Sequence, residues 1–237
     1  MTGYTRQQRS RSSNRRINAT GVMVILSIWM LPTLLPVAGA QTANQLSECG
    51  ELNNAYGPFD YTNAEHRREK LPIVERFHFN DEVFRLERGL TSGNPTGDIA
   101  YTLHAFPNHH RALDAMARLH RKHQTEKLPG ARYSLACYFD RARRMAPHDA
   151  TIPMLQGIHF FKTGRMDQAE ISFQVALDLA PNSAEIHYNL GLLYIREGNF
   201  EYAREHAVRA YELGFPLPGL RRKLIDADQW PTSMDDS

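Results

Sequence analysis

The sequence predicts an all-α fold built from repeated helical hairpins, and three observations support this prediction. Pro147 and Pro181 stand 34 residues apart, and the two stretches that follow them align without a gap. Apolar residues recur at helical spacing within each stretch. Five aligned positions carry the same or a similar residue: Gly157 and Gly191, Phe160 and Tyr194, Gly164 and Gly198, Ala169 and Ala203, Ala176 and Ala210. A fixed period of this length is typical of a helical repeat.

Each unit is predicted to form two amphipathic helices joined by a tight turn. In the second unit Ile186, Leu190 and Leu193 recur on one helical face. Gly198 and Asn199 are then expected to end this helix, because glycine adopts the left-handed conformation at little cost.

Small residues recur where two helices must approach each other. Gly157 and Gly191 would let the first helix of each unit lie close to its neighbour, where a larger side chain would push the pair apart. Pro181 ends one unit, and Asn182 is expected to cap the helix that follows it.

This pattern resembles the tetratricopeptide repeat (TPR) family, whose units carry Leu-Gly, Tyr, Ala, an aromatic residue, Ala and Pro at fixed offsets over 34 residues. The unit 147–180 and the unit 181–215 supply matching residues: Gly157, Phe160, Ala169, Phe173, Ala176 and Pro181 from the first, and Leu190, Gly191, Tyr194, Ala203 and Ala210 from the second. Their departures are Pro153, Gln156, His187, Ala207 and Phe215. The resemblance implies a superhelix of helical hairpins with about three repeats.

A degenerate first repeat is predicted over residues 107–146. Pro107-Asn108 repeats the Pro181-Asn182 pair two periods and six residues earlier, which indicates a six-residue insertion between the helices of this repeat. Asn108 is expected to cap its first helix, with His109 and His110 in the first turn. The repeats together span 107–215.

Non-repeat segments are predicted at both ends of the repeats. Residues 216–230 are expected to form a capping helix that covers the last repeat with Leu220, Leu224 and Ile225, because an open stack needs a polar outer face. Residues 231–237 are expected to form a loose tail.

Residues 41–106 form a different, N-terminal segment of short helices and irregular chain. Asn63 is predicted to cap a helix that ends before Pro72, and Asn80 begins another that ends at Gly89. The stretch 73–79 alternates weakly, which leaves a strand or a helical link open. We expect this segment to pack against the first repeat.

The first 40 residues are predicted to be a signal peptide or a membrane anchor. They carry five arginines and no acid, and a largely apolar stretch over residues 21–40 ends at Ala38-Gly39-Ala40. Two prolines favour cleavage, although an apolar stretch of this length can also span a bilayer. In either case the body is expected to be exported, as a periplasmic protein or one anchored with its body in the periplasm.

The two cysteines, Cys49 and Cys137, both follow this leader. An oxidising compartment would let them form a disulfide that joins the N-terminal segment to the first repeat. The alternative is two separate buried thiols.

Composition and motifs argue against several functional classes. Without the leader the chain carries 23 basic and 26 acidic side chains, which does not indicate nucleic-acid binding. Neither a GxSxG nucleophile motif nor the HExxH and CxxCH spacings of metal and haem sites occur, so no enzymatic activity and no cofactor are predicted. His104, His109 and His110 are the weak metal candidates in the histidine-rich stretch 60–125.

The TPR resemblance implies that the first helices of the repeats line a groove that binds a peptide or a helix. The corresponding positions are Arg111, Asp114 and Arg118, then Met154, Ile158 and Phe161, then Tyr188, Leu192 and Ile195. This wall is basic at one end and apolar at the other, and its apolar part would suit an amphipathic helix or an extended peptide. Alternatively, Ile158, Phe161 and Leu192 pack against the segment 41–106 or the capping helix.

The sequence therefore predicts a non-enzymatic adaptor or scaffold of the cell envelope with a protein or peptide partner. The alternative is a periplasmic metal-, haem- or small-molecule-binding protein that uses the histidine-rich stretch. A membrane contact is expected only through an uncleaved leader.

Overall fold

The computed structural model describes residues 49–125 and 127–230. The predicted leader and the predicted tail lie outside these residues. The described chain forms eleven helices, namely α1 (Ala64–Glu69), α2 (Leu71–His78), α3 (Asp81–Phe84), α4 (Pro95–Ala105), α5 (His110–His123), α6 (Leu135–Met145), α7 (Thr151–Lys162), α8 (Met166–Leu179), α9 (Ala184–Glu197), α10 (Phe200–Glu212) and α11 (Gly219–Asp226). Within the described ranges, no helix has both the length and the apolar character needed to cross a bilayer.

The all-α hairpin fold is confirmed most directly in the two aligned units. Helices α7 and α8 form one hairpin, α9 and α10 form the next, and α8 packs against α9. The apolar core between them consists of side chains that are at most 5% exposed: Met154, Ala169, Phe173, Ala176, Ile186, Leu190 and Leu193. Burial of this shared face stabilises each hairpin, since neither could cover it alone.

Gly157 and Gly191, which occupy the same position in the two aligned units, lie at close contacts, as the sequence predicted. A Cβ atom at Gly157 would lie 2.6 Å from the ring of Phe173 on α8. A Cβ atom at Gly191 would lie 2.5 Å from Leu220 of α11 and 3.3 Å from the carbonyl oxygen of Ala203 on α10. Gly198 ends α9 with a left-handed φ of 76°, which confirms its predicted role in the turn.

Two predicted helix caps are wrong by one residue. Ser183, not Asn182, caps α9, and Asn182 instead accepts a hydrogen bond from Arg209. His109, not Asn108, caps α5, because its ring Nδ1 accepts the Ala112 amide proton at 3.1 Å.

The side chain of Asn108 is held by the N-terminal segment. Its Oδ1 accepts the Tyr61 amide proton at 2.9 Å, and its Nδ2 donates to Asp60 at 2.7 Å. These contacts remove Asn108 from the α5 terminus and fasten the segment to the start of the first repeat.

The first repeat departs from the others in its turn. Residues 124–134 connect α5 to α6, whereas residues 163–165 suffice between α7 and α8. The long connection agrees with the insertion that the spacing of the prolines indicated.

The N-terminal segment packs against the first repeat through α3 and α4, which both contact α5. Asn63 and Asn80 cap α1 and α3 as predicted. The stretch 73–79 is almost entirely helical, and Pro72 lies in the first turn of α2, where a proline is tolerated. The prediction that Gly89 ends a helix is wrong, since α3 ends at Phe84.

A buried carboxylate organises the loop between α3 and α4. The side chain of Asp98 is 0% exposed, and it accepts the amide protons of Leu90 at 2.7 Å and Thr91 at 3.1 Å. The Thr91 hydroxyl and the His78 ring nitrogen complete its contacts at 2.9 and 3.1 Å.

Replacing Asp98 with alanine is expected to lower the free energy of unfolding by about 2 kcal/mol, because it leaves buried donors without an acceptor. Asp98→Asn is the matched control, since its amide oxygen can still accept both backbone amide protons. Urea unfolding measures the stability of both variants. Equal losses of unfolding free energy would show that the hydrogen bonds from the Leu90 and Thr91 amides contribute nothing to stability.

Helix α11 caps the last repeat. Leu220 and Leu224 are 0% exposed and pack with Ala203 and Ala207 of α10. The expectation for Ile225 is wrong, because this side chain is 50% exposed on the solvent side of α11.

Candidate partner-binding surface

The first helices of the three repeats form a continuous row, in which α5 contacts α7 and α7 contacts α9. All nine residues predicted to line a groove lie on these three helices. They differ in what covers them, which divides the row into three parts.

The first part, on α5, is in contact with the N-terminal segment. Arg118 pairs with Asp114 at 2.8 Å and donates to the carbonyl oxygen of Phe84 at 2.6 Å. The guanidinium groups of Arg111 and Arg118 lie 4.3 and 4.7 Å from the centre of the Phe84 ring. The basic end of the predicted groove therefore holds α3 in place.

The second part, on α7, keeps accessible apolar side chains. Met154 is 5% exposed and belongs to the core, whereas Ile158 and Phe161 are partly exposed at its edge. The guanidinium group of Arg196 lies 5.3 Å from the Phe161 ring centre and donates to the Phe161 carbonyl oxygen at 3.1 Å. An apolar surface with two adjacent cations, Arg196 and Lys162, results.

The third part, on α9, borders the capping helix. Leu192 and Ile195 pack beside Leu220 and Leu224, and the Tyr188 ring stacks on Phe215 at 4.1 Å. These side chains remain partly exposed. Among the predicted groove residues, Ile158 and Phe161 are therefore the two that are partly exposed and are not shown to contact the N-terminal segment or the capping helix.

Arg196 was not among the predicted residues. It is adjacent to Ile195 in sequence, and its position facing Phe161 depends on the packing of α9 against α7. The helical spacing alone could have placed it beside the groove, but not over this ring.

A cavity of about 250 Å³ lies between the first and second repeats. Its lining includes His120 of α5, Phe139 of α6, His159 of α7 and Arg165. Burial, reinforced by nearby cationic groups, lowers the pKa of His159 to about 4, so this ring is neutral at pH 7.

The three weak metal candidates have separate surroundings. His109 is buried against Glu75 at 3.2 Å, and His110 contacts Asp149 at 2.6 Å. His104 lies beside Tyr133, and burial lowers its pKa to about 4. Within residues 49–125 and 127–230, no three His, Cys, Asp or Glu side chains are grouped so that they could hold a metal ion.

His187, one of the departures from the repeat pattern, has a specific partner. Its Nδ1 lies 2.9 Å from Nδ1 of His206 on α10, and its Nε2 lies 3.0 Å from the carbonyl oxygen of Pro181. A carbonyl oxygen can only accept, so Nε2 carries a proton, and the two Nδ1 atoms share one proton between them. The pair replaces apolar packing between α9 and α10.

The cysteines form the predicted disulfide, which joins Cys49 to Cys137 of α6. Arg141 donates to the carbonyl oxygens of Cys49 and Glu51 at 3.1 and 2.6 Å, and Arg144 donates to Gly50 at 2.9 Å. The start of the described chain is therefore fixed to the first repeat by covalent and polar contacts.

Two family models described as tetratricopeptide repeat match this chain, one over residues 132–184 and one over residues 172–205. Residues 132–205 of this chain belong to the tetratricopeptide repeat family. The matched residues cover α6 to α9 and the first six residues of α10, and TPR architecture supports a role in protein interaction.

Three solved structures illustrate what this chain is similar to. A thermophilic TPR protein of Thermus thermophilus is 20% identical, with 69% of this chain and 85% of that chain covered and a TM-score of 0.49. MamA of AMB-1 is 23% identical, with 50% and 66% covered and a TM-score of 0.37. MamA of MSR-1 is 18% identical, with 73% and 89% covered and a TM-score of 0.40.

The TPR protein spans about two thirds of the AMB-1 MamA chain that it matches. No protein of curated function is similar enough in sequence to count as a match.

Proposed function

We propose that this protein is a non-enzymatic adaptor of the cell envelope that holds a helix or an extended segment of a partner protein against the first helices of its repeats. The observation that carries the proposal is the accessible apolar edge of α7, formed by Ile158 and Phe161. Leu192 and Ile195 extend this edge onto α9.

The chemistry of this edge defines the kind of partner. An apolar strip two helices wide accommodates a few anchoring side chains of an amphipathic helix or an extended peptide. Arg196 at the edge would favour an acidic residue beside those anchors.

Export from the cytoplasm is part of the proposal. The basic and apolar leader of residues 1–40 supports it, and so does the disulfide, because such bonds persist in oxidising compartments. The body would then act in the periplasm, either free or anchored through the leader.

Replacing Ile158 with glutamate is expected to weaken partner binding at least about tenfold, since a charge would be placed in the apolar contact. The measurement is crosslinking in envelope extracts, with each captured protein quantified by mass spectrometry for the wild type and the variant. Far-UV circular dichroism checks that the variant keeps its helical content.

Ile73→Glu is the matched control, because Ile73 is 48% exposed on α2 and lies outside the repeats. A true partner is retained by this control and lost from Ile158→Glu. If both variants capture the same proteins as the wild type, the α7 edge is not the binding surface. Leu192→Glu is less informative, since Leu192 also supports the capping helix.

A further inference from the structure

The outward face of α8 exposes a row of apolar side chains. Ile171, Val175 and Leu179 recur at every fourth position and are 65%, 45% and 37% exposed. The opposite face of the same helix carries Ala169 and Phe173, which are 0% exposed in the core. Helix α8 is therefore apolar on two faces, of which only one is used by the fold.

A row of this kind differs from scattered surface residues. Residues four apart on a helix are neighbours, so the three side chains form one strip along more than two turns. Contiguous exposed apolar surface of this type commonly marks an interaction site in soluble proteins.

The charges on α8 define what could cover the strip. The helix contains Asp167, Glu170 and Asp178 and has no Lys, Arg or His. Asp167 and Asp178 are exposed, whereas Glu170 accepts a hydrogen bond from Tyr194 at 2.7 Å. Arg165, just before the helix, donates to Gln168 and lies over the Phe160 ring at 4.4 Å.

We propose that this α8 strip is a second docking surface and that its partner is a basic amphipathic helix. Apolar residues four apart on the partner would cover Ile171, Val175 and Leu179, while flanking Lys or Arg residues would face Asp167 and Asp178. This surface lies on the second helix of its repeat and is independent of the adaptor surface on α7.

A second copy of the chain does not fit the strip in the same way. Two α8 helices packed through identical faces would bring the carboxylates of Asp167 and Asp178 together without any base on either helix. Like charges at such an interface are unfavourable, so a basic partner suits the strip better.

The test uses a synthetic helical peptide of about 18 residues, long enough to form a helix on binding, with Leu at every fourth position and Lys beside it. A control peptide carries Glu in place of Lys. Fluorescence anisotropy with the full chain is expected to show at least about tenfold tighter binding of the Lys peptide. Raising the salt from about 0.1 M to about 1 M shortens the screening length from about 10 Å to about 3 Å and should reduce that difference.

Two variants locate the binding on α8. Ile171→Ser combined with Val175→Ser is expected to weaken binding of the Lys peptide about tenfold or more, with little effect on folding because both residues are exposed. Asp167→Asn combined with Asp178→Asn should reduce the salt dependence. Ile73→Ser, at a 48% exposed position on α2, is the control that should bind as the wild type does, and Phe161→Ala tests whether the peptide occupies the α7 edge instead.

The proposal is overturned if the Lys peptide does not bind, if the Glu peptide binds equally well, or if the α8 serine variant binds unchanged. It is also overturned if Phe161→Ala abolishes binding while the α8 serine variant retains it, because the peptide would then occupy the α7 edge. Self-association that the α8 serine substitutions abolish, without any peptide binding, would assign the strip to a second copy instead.

Discussion

Replacing Gly157 with alanine is expected to lower the free energy of unfolding by about 3 kcal/mol, near the upper end for overpacked cores. A Cβ atom at this position would lie 2.6 Å from two ring atoms of Phe173. That ring is 0% exposed in the core shared by α7 and α8, so it cannot move away into solvent. Urea unfolding followed by circular dichroism measures the loss.

Gly97→Ala is the control for this substitution. Gly97 also lies in a helix, α4, and no atom lies within 4 Å of the position that its Cβ would take. Alanine there should be neutral or stabilise by up to about 1 kcal/mol, since it is the better helix former. Adding Phe173→Leu to Gly157→Ala should recover part of the loss, and similar losses at Gly157 and Gly97 would contradict the role of close packing.

Removing the disulfide with Cys49→Ser and Cys137→Ser is expected to lower the free energy of unfolding by about 4–5 kcal/mol. The two cysteines are 88 positions apart in the sequence, and a loop of that length restricts the unfolded chain strongly in the chain-entropy model. Urea unfolding under oxidising and reducing conditions measures the effect.

A reductant provides the matched control for the serine variants. It should destabilise the wild type by the same amount and leave the double serine variant unchanged. A loss below about 1 kcal/mol in both experiments would contradict the prediction that the disulfide stabilises the fold by restricting the unfolded chain.

The two complete repeats were predictable because their packing imposes a local and periodic requirement. A side chain at residue 157 would collide with Phe173. One repeat later, a side chain at residue 191 would collide with Leu220, so glycine is required at both positions. The left-handed turn at Gly198 follows from the same logic, since few other residues adopt its backbone conformation readily.

Helix caps were less predictable because several adjacent polar side chains could serve. Asn108 and His109 both suit a helix start, and the choice depends on Asp60 and Tyr61, which lie 47–48 residues earlier and bind Asn108. A contact at that distance in sequence leaves no local pattern to detect.

The candidate surface was predictable in position but not in accessibility. Helical spacing placed Arg118, Ile158 and Leu192 on the first helices of three repeats. Whether each side chain is open depends on Phe84 of the N-terminal segment and on Leu220 of the cap, which belong to no repeat. The exposed strip on α8 was not predicted, because the same helix carries the core residues Ala169 and Phe173, and the repeat period does not distinguish its two apolar faces.

Both ends of the repeat array are closed by helices of a different kind, α3 and α4 at one end and α11 at the other. An additional hairpin joined to either end would have to pack against these terminal helices, not against a repeat. At the junction of residues 180–183, by contrast, α8 of one unit packs against α9 of the next. A hairpin inserted there could pack against α8 on one side and α9 on the other. Lengthening of this protein, by gene duplication or by engineering, is therefore confined to its interior.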